Sequence, residues 1–456
     1  MPRYEVKTRV LHDTSGLFSV GDVTDRPCPT ITIGVHGLNA AHYQVEYFQT
    51  NTPLEVDSPM HTHGALTKPP YAVPSMATIA ALPWNGLNVC SLFSGCGGSA
   101  LGYKMAGFHV LWANEFIPAA QATYRLNHPE TILDPRDIRH VHPDDILQAT
   151  GLQRRELDLL DGSPPCASFS TAGKREQHWG KVKSYSDTKQ RTDDLFFEYI
   201  RLLKDLQPKV FVAENVSGLL KGTAKGYFLT ILRAMKACGY VVACRLLDAQ
   251  WLGVPQMRQR AIFIGVRMDL GKLPAFPQPL PYRYSVREAL PWIMRQAIAN
   301  EVYEDASQRP AATVLASTGA RTSSTLASEH LSYVEVSHII EQETNISRYA
   351  IGRACPMLSP GEQSTKYFQL AKPALETPCP TITQRGGDPT VASVTHPLER
   401  RKFTIEELKR ICAFPDDFQL TGSYSQRWER LGRAVPPIMM YHIAQTIREH
   451  IFEKLS

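Results

Sequence analysis

Residues 161–170 decide the predicted fold of this chain, and they read DGSPPCASFS. The run LDLL at 157–160 is typical of a buried strand, and the glycine and two prolines that follow should end it abruptly. Cys166 is therefore predicted in a loop at the carboxyl end of a strand, where open α/β sheets bind ligands. The prolines would hold its thiol on a stiff support, which suits a nucleophile. A buried structural cysteine is the alternative for any single Cys.

Length and composition exclude several classes of protein. The 456 residues predict two or three domains, and the chain has neither an apolar run that could cross a bilayer nor a signal-peptide core. We therefore expect a soluble cytoplasmic enzyme with no membrane partner. Nine cysteines without a Cys-x-x-Cys pair argue for a reducing compartment and against a disulfide framework or a structural zinc site. No metal site is predicted, and the net charge of +5 permits a polyanionic partner.

Strands alternate with amphipathic helices between residues 87 and 268. This alternation predicts an α/β fold with a doubly wound, mostly parallel sheet and helices on both faces. Order returns at 404–412 and in a closing helix at 438–452, after an irregular region at 271–375. The predicted strands are 87–93, 110–115, 157–160, 210–214, 241–247 and 260–266, and the predicted helices between them are 99–106, 118–126, 193–206 and 227–237.

The first 84 residues are predicted to form an irregular extension or a small subdomain, because short β-like runs are separated by Pro, Gly, Asn and His. The hexapeptide PCPTIT occurs at 27–32 and again at 378–383. We interpret it as a turn that leads into a strand, with proline opening it and β-branched residues pairing. Our hypothesis is that the extension packs beside residues 300–385.

Two further segments should lie at the same edge of the sheet as Cys166. The turn FSGCGG at 93–98 allows close approach of a ligand, and Glu115 at the next strand end could accept hydrogen bonds from ribose hydroxyls. A glycine-rich turn also serves plain helix packing. Glu214 and Asn215 end the strand 210–214, and a partly buried Glu214 could donate a proton, although a helix-capping or solvated glutamate is the alternative.

Basic residues form two more constellations. If 256–260 is a strand, then Gln256, Arg258 and Arg260 point to one face, and guanidinium groups suit a base carbonyl or a phosphate. The segment 173–191 mixes lysines and arginines with His178, Trp179 and other aromatic residues. It is predicted to be a lid that closes over phosphates and bases, although a solvated loop is the plainer interpretation.

Taken in this order, the motifs closely resemble those of the DNA (cytosine-5)-methyltransferase family. The resemblance spans about 87–268 and 377–447, with matching segments at 93–98, 162–170, 214–216, 256–260, 401–418 and 432–437. It implies a Rossmann-like methyltransferase fold with a smaller, irregular α+β target-recognition domain. The implied division is 1–84 (extension), 85–270 (catalytic, cofactor-binding), 271–390 (target recognition) and 391–456 (return to the catalytic domain). The implied cofactor is S-adenosylmethionine, and the implied partner is double-stranded DNA.

The resemblance also implies roles for individual residues. Cys166 would add to C6 of a flipped cytosine, Glu214 would hydrogen-bond or protonate N3, and Arg260 would contact the base carbonyl. Asn215 would brace the cysteine loop, and Arg258 would join Arg260 in favouring the thiolate. The implied cofactor-binding residues are Phe93, Gly95, Gly97, Gly98, Glu115, Phe116, Asp137, Ile138, Pro164, Leu195, Arg433 and Ala434.

The chain departs from the family pattern at three positions. Ala167 replaces a frequent Gln, Arg433 replaces the usual Asn, and Arg191 is offset from its common place, so it receives no cofactor role. The alternatives are a tRNA cytosine-5-methyltransferase, a non-catalytic DNA-binding relative, and a nicotinamide-dependent oxidoreductase that would leave the Pro-Pro-Cys loop unexplained. We expect a monomer associated with the nucleoid through DNA, with a cognate restriction endonuclease encoded nearby as a candidate partner.

Overall fold

A computed structural model of the protein describes residues 3–10, 43–50, 67–165, 183–185, 188–190, 194–220, 224–293 and 343–455. The strands in these ranges are numbered in chain order. They are β1 (Arg3–Val10), β2 (Tyr43–Thr50), β3 (Asn88–Leu92), β4 (His109–Asn114), β5 (Ile132–Asp134), β6 (Leu159–Gly162), β7 (Lys183–Tyr185), β8 (Thr188–Gln190), β9 (Val210–Val216), β10 (Tyr240–Asp248) and β11 (Gln259–Arg267).

Seven of these strands form one sheet in the order β10-β11-β9-β6-β3-β4-β5. The five strands from β9 to β5 run parallel, whereas β11 runs antiparallel to both of its neighbours. Apolar side chains cover both faces, since Leu159 and Val212 belong to one core cluster and Leu160 and Phe211 to the other. The predicted doubly wound, mostly parallel sheet is confirmed.

Helices flank the sheet close to where the sequence predicts them, and further helices lie outside the predicted ranges, two of them with eight or more residues. The helix Pro143–Thr150 was not predicted, and neither was Tyr424–Arg433, in which Tyr424, Trp428 and Leu431 are the buried large side chains of a mostly polar segment. The described α-helices are Met76–Ala80, Gly98–Met105, Pro118–Asn127, Pro143–Thr150, Leu195–Leu206, Ala224–Ala237, Val286–Ala289, Ala350–Ala354, Ile405–Ile411, Tyr424–Arg433 and Pro437–His450.

Two expectations about the strands differ from the structure. The sequence predicts that Gly162 ends the strand 157–160, whereas β6 runs from Leu159 to Gly162, and Gly162 pairs with Leu92 of β3 and Ala213 of β9. A glycine is needed there because a Cβ atom would lie 2.6 Å from the Tyr199 ring. The second difference concerns β11, which begins at Gln259. Residues 256–258 therefore precede the strand, and their side chains do not alternate between its two faces.

The C-terminal helix Pro437–His450 returns to the sheet and packs against Gly98–Met105. Gly102 makes this approach possible, because a Cβ there would lie 2.5 Å from Met440 Cβ and 2.6 Å from the Pro437 carbonyl oxygen. The last segment of the chain is thereby brought against the helix that follows the glycine-rich turn.

Replacing Gly102 by alanine is expected to lower the free energy of unfolding by about 2 kcal/mol, because the two helices must separate to admit the methyl group. Urea unfolding would measure the loss. Gly226→Ala is the matched control, since no atom lies within 4 Å of that Cβ position, and it should be neutral or raise stability by up to about 1 kcal/mol. Equal losses in both variants would contradict the close-packing argument.

Two described regions precede β3 in the chain, namely the strands β1 and β2 and the segment that begins at residue 67. β1 and β2 pair antiparallel in the extension, where the first copy of PCPTIT lies outside the described residues. From residue 67 the chain packs on the C-terminal half, with Tyr284 Oη donating to the Pro69 carbonyl at 3.0 Å. The packing of the extension on residues 300–385 and the separate recognition domain stay predictions. Within the described ranges, no helix is both long and apolar enough to cross a membrane.

Candidate active site

The ends of four strands and the start of a fifth surround one cleft of about 1000 Å³. β3, β4, β6 and β9 end at this edge, and β11 begins there because it runs antiparallel to β9. The described residues predicted from the sequence that line the cleft are Phe93, Gly95, Gly98, Glu115, Phe116, Asp137, Ile138, Pro164, Leu195, Glu214, Asn215, Arg258, Arg260, Arg433 and Ala434. Segments far apart in the chain therefore share one site.

The glycines of the turn after β3 have different tasks. Gly97 has φ of 92°, and a Cβ there would lie 2.2 Å from His128 Nε2, so packing against His128 explains this glycine better than contact with a cofactor. At Gly98 a Cβ would lie 2.4 Å from the Val435 carbonyl oxygen. Glycine at 98 therefore lets the returning C-terminal segment close directly over the turn.

Glu115 holds the glycine-rich turn and also faces the cleft. Its carboxylate accepts hydrogen bonds from the Gly95 N–H at 2.8 Å and the Ile117 N–H at 2.6 Å. Burial raises the pKa of Glu115, and these two N–H groups, with the charges of Arg430 and Arg433, oppose the rise. A carboxylate has about four acceptor positions, so two remain for ribose hydroxyls.

A second acidic residue lies beyond Glu115 along the cleft. Asp137 accepts a hydrogen bond from the Arg139 N–H at 3.0 Å, and Arg139 forms ion pairs with Asp137 at 2.9 Å and Asp194 at 2.8 Å. Arg139 therefore connects the segment after β5 to the start of the helix Leu195–Leu206. Ile138 and Leu195 are both nearly fully buried beside this bridge and supply apolar walls.

Glu214 and Arg260 form a buried ion pair at the opposite end of the cleft. Arg260 Nε lies 2.5 Å from Glu214 Oε1, and the two side chains are 12% and 10% exposed. The pairing of β9 with β11 brings them together, since Ile262 is opposite Glu214 and Arg260 is opposite Val216. Burial lowers the pKa of Arg260, and the charge of Glu214 opposes this shift. The pair presents a carboxyl and a guanidinium to any planar polar ligand in the cleft.

Asn215 contacts the loop that leads to Cys166. Its Nδ2 donates to the Pro164 carbonyl oxygen at 3.1 Å, while its Oδ1 accepts from the Val216 N–H at 2.9 Å. Pro164 and Pro165 line the cleft. Cys166 lies outside the described residues, as does most of the predicted lid at 173–191, in which the backbone of β7 and β8 forms a hairpin.

Arg258 does not point along the cleft with Arg260 as the sequence pattern predicts. It is 1% exposed, and its guanidinium donates to the carbonyl oxygens of Ile382 at 3.2 Å, Gly432 at 3.0 Å and Arg433 at 3.2 Å. The expected alternation fails because β11 begins only at Gln259. Arg258 therefore ties the C-terminal segment to the sheet, which is a positioning role.

The second copy of the repeated hexapeptide docks beside this arginine. Cys379 exchanges backbone hydrogen bonds with Pro255 at 2.9 Å and Met257 at 2.8 Å, and it forms a parallel bridge with Gln256. The Trp428 Nε1–H donates to the Thr383 carbonyl at 2.9 Å. Residues 378–383 thereby pair with the segment that leads into β11.

Arg433 approaches the cleft from the C-terminal segment but is paired along its own helix. Its Nη2 lies 2.7 Å from Glu429 Oε1, one helical turn away, and Ala434 follows as the helix cap. Further residues that line the cleft were not predicted from the sequence, among them Asp161, Arg283, Gln384 and Arg385. Asp161 stands inside the quoted motif, whereas the others lie in irregular segments that carry no periodic signal.

Comparisons with known proteins give a family match and several relatives for this chain. Residues 87–449 match the family model described as C-5 cytosine-specific DNA methylase. The Type II methyltransferase M.NgoPII of Neisseria gonorrhoeae is 29% identical over 367 residues, covering 80% of this chain and 96% of that protein. The Type II methyltransferase M1.HphI of Haemophilus parahaemolyticus is 30% identical over 361 residues, covering 79% of this chain and 86% of that protein.

Similarity to a solved structure supports the fold. A protein encoded within an E. coli prophage and described as a DNA modification methyltransferase superimposes with a TM-score of 0.55. It is 20% identical in sequence, and the superposition covers 80% of this chain and all of that one.

Proposed function

The chain belongs to the C-5 cytosine-specific DNA methylase family, and from this premise we propose that it methylates C5 of a flipped cytosine in a specific double-stranded DNA sequence. The observation that carries the proposal is the buried Glu214–Arg260 pair, which shares one cleft with Glu115 and the glycine-rich turn. We further propose S-adenosylmethionine as the methyl donor, a monomeric cytoplasmic enzyme, and a restriction–modification context like that of the Type II relatives.

The end of the cleft around Glu115 fits S-adenosylmethionine. Glu115 and Asp137 offer carboxylate acceptors for ribose and adenine, and the nearby apolar side chains of Phe93, Ile138 and Leu195 suit a purine ring. S-adenosylmethionine would supply an electrophilic methyl group. The chain's own contribution at this end is to orient that cofactor and to exclude water from it.

The end around Glu214 fits the cytosine. C5 of cytosine is a weak nucleophile, so the thiolate of Cys166 would first form a bond to C6, and the displaced electrons would make C5 reactive. Glu214 would protonate or hydrogen-bond N3 to absorb the negative charge, and Arg260 would contact the base carbonyl. After methylation, loss of the C5 proton to a base expels the thiolate and breaks the S–C6 bond. Asn215 supports this step by holding the Pro164 carbonyl just ahead of Cys166.

The cleft can receive a cytosine only after that base leaves the duplex, which costs a few kcal/mol. Arg283 and Arg385 line the same cleft from outside the catalytic sheet. Their guanidinium groups could bind phosphates or base edges around the flipped nucleotide. We therefore propose that these residues and the segment that carries them face the DNA.

Covalent trapping tests the proposal. The protein is incubated with S-adenosylmethionine and duplex DNA that contains 5-fluorocytosine, beside Cys166→Ser and a tRNA control. We expect a denaturation-resistant complex with DNA that requires both the cofactor and Cys166, because fluorine at C5 cannot leave as a proton does. A complex with tRNA alone would establish the RNA-modifying alternative, and no complex with either nucleic acid would overturn the proposed chemistry.

A further inference from the structure

Asp161 is a buried carboxyl in the wall of the cleft to which the reaction above assigns no task. It is 1% exposed and follows Leu160 on β6, so its side chain lies on the face of the sheet covered by the helix Gly98–Met105. Its carboxylate accepts a hydrogen bond from Ser91 Oγ at 3.0 Å and one from Tyr103 Oη at 3.2 Å. Both donors are neutral hydroxyl groups.

The described residues supply no ion pair to Asp161, unlike the carboxylates of Glu214, Asp137 and Asp158. An ionised carboxylate is costly to bury with neutral donors alone. Burial therefore raises the pKa of Asp161 to about 7, and the nearby charge of Glu214 adds to the rise while Ser91 and Tyr103 oppose it. A cation placed in the cleft would relieve this cost.

The order of strands shows where such a cation would have to lie. The residues that suit the nucleoside, Glu115 and Asp137, follow β4 and β5, whereas the pair that suits the base, Glu214 and Arg260, lies on β9 and β11. β6 and β3 lie between these two groups. Any group handed from the nucleoside end to the base end must therefore pass over β6 and β3, where Asp161 lines the cleft.

We propose that Asp161 selects the cofactor. Its carboxylate pairs with the positively charged reacting sulfur of S-adenosylmethionine and so distinguishes this cofactor from the uncharged thioether product. The inference rests on the proposed function, since that function provides the sulfonium. The sulfonium becomes a neutral thioether when the methyl group leaves, so the product loses the attraction to Asp161. Asp161 thereby favours exchange of the spent product for fresh cofactor.

The charge of Asp161 is expected to strengthen cofactor binding without accelerating methyl transfer. An anion beside the sulfonium stabilises the bound cofactor more than the transition state, in which that charge is already diminishing. Removing the carboxylate should therefore weaken cofactor binding without slowing the methyl-transfer step. A purely structural role of Asp161 would instead change the binding of cofactor and product alike.

The proposal also predicts how cofactor affinity depends on pH. The titratable groups that interact with Asp161 are Tyr103 and Tyr124 on the same face of the sheet, Tyr199 on the opposite face and Glu214 on β9. Burial raises the pKa of each tyrosine, so the tyrosines stay neutral at pH 6–8. Below its pKa, Asp161 must lose a proton before it can pair with the sulfonium, so cofactor affinity should rise between pH 6 and pH 8.

Calorimetric binding to Asp161→Asn tests the proposal, because the amide keeps a hydrogen-bonding oxygen but no charge. Three probes are used: S-adenosylmethionine, sinefungin with an ammonium group near the position of the sulfonium, and S-adenosylhomocysteine with neutral sulfur. At pH 8 we expect about tenfold weaker binding of the two cationic probes and less than about twofold change for the neutral one. The rise in affinity from pH 6 to pH 8 should be absent in this variant.

Asp158→Asn is the matched control. Asp158 precedes the same strand, but its carboxylate accepts from the Asn88 N–H at 2.9 Å and pairs with Lys209 at 2.7 Å, away from the cleft. This change should lower thermal stability and leave the preference for cationic probes intact. Equal weakening of all three probes by Asp161→Asn, or no weakening of any, would overturn the inference. Failure of the wild-type protein to bind any probe would instead refute the proposed function itself.

Discussion

The Glu214→Gln enzyme is expected to bind cofactor like the wild type while losing about a thousandfold in the rate of methyl transfer. Glutamine keeps the shape of the side chain but can neither carry the charge nor donate the proton that N3 requires. Cofactor affinity should be preserved at pH 8, where Asp161 is already mostly ionised, because Glu115 and Asp137 lie at the other end of the cleft, beyond β6 and β3. Single-turnover methylation at saturating cofactor and DNA would measure the rate.

The same substitution leaves Arg260 buried without its carboxylate, which should lower the free energy of unfolding by about 3 kcal/mol. The rate must therefore be measured well below the unfolding transition of the variant. Glu376→Gln is a control, because Glu376 forms an exposed pair with Arg287 at 2.5 Å and has no place in the proposed chemistry. A rate for Glu214→Gln within tenfold of wild type would argue against a proton role for this residue.

Arg258→Met is expected to reduce the free energy of unfolding by about 3 kcal/mol and to weaken cofactor binding, with the rate at saturating cofactor changing by less than about tenfold. Its guanidinium donates to the carbonyl oxygens of Ile382, Gly432 and Arg433, and methionine would leave all three without this donor. Burial lowers the pKa of Arg258 to about 9, so the side chain is still charged at neutral pH. Losing it should loosen the segment that closes the cofactor end of the cleft.

Urea unfolding, cofactor titration and single-turnover rates together test this assignment. Arg136→Met is the matched control, since the exposed Arg136 pairs with Asp134 at 2.6 Å and Asp145 at 3.0 Å, and an exposed pair contributes at most about 1 kcal/mol. If Arg258→Met kept its stability but lost the rate at saturating cofactor, Arg258 would act on the base, as the sequence pattern implied.

Much of the fold follows from the sequence because its strands and helices have strong periodic patterns. The predicted strands 241–247 and 260–266 are observed as Tyr240–Asp248 and Gln259–Arg267, each extended by one residue at both ends. The helix Tyr424–Arg433 escaped prediction because its buried face rests mainly on Trp428 and Leu431. Such a helix is stabilised by tertiary contacts, which no local pattern reveals.

The candidate site was predictable to the extent that its residues stand at strand ends. Glu115, Glu214 and Asn215 follow apolar runs, and parallel strands end at one edge of a sheet. Arg258 and Gly97 were assigned to the site because each lies in a matching motif. The sequence could not show that the Arg258 guanidinium bonds to the Gly432 carbonyl, or that His128 leaves no room for a side chain at Gly97, because both partners are distant in the chain.

The sequence by itself thus determined the class of sheet, the order of the motifs and the edge at which they meet, because backbone periodicity and chain direction are local properties. Only the tertiary structure decided that Arg260 reaches Glu214 whereas Arg258 holds the C-terminal segment, and that Asp161 faces the cleft without a cation among the described residues. Those outcomes depend on where β11 begins and on how strands from distant parts of the chain are ordered. Such relations come from packing between segments, and no single stretch of sequence contains them.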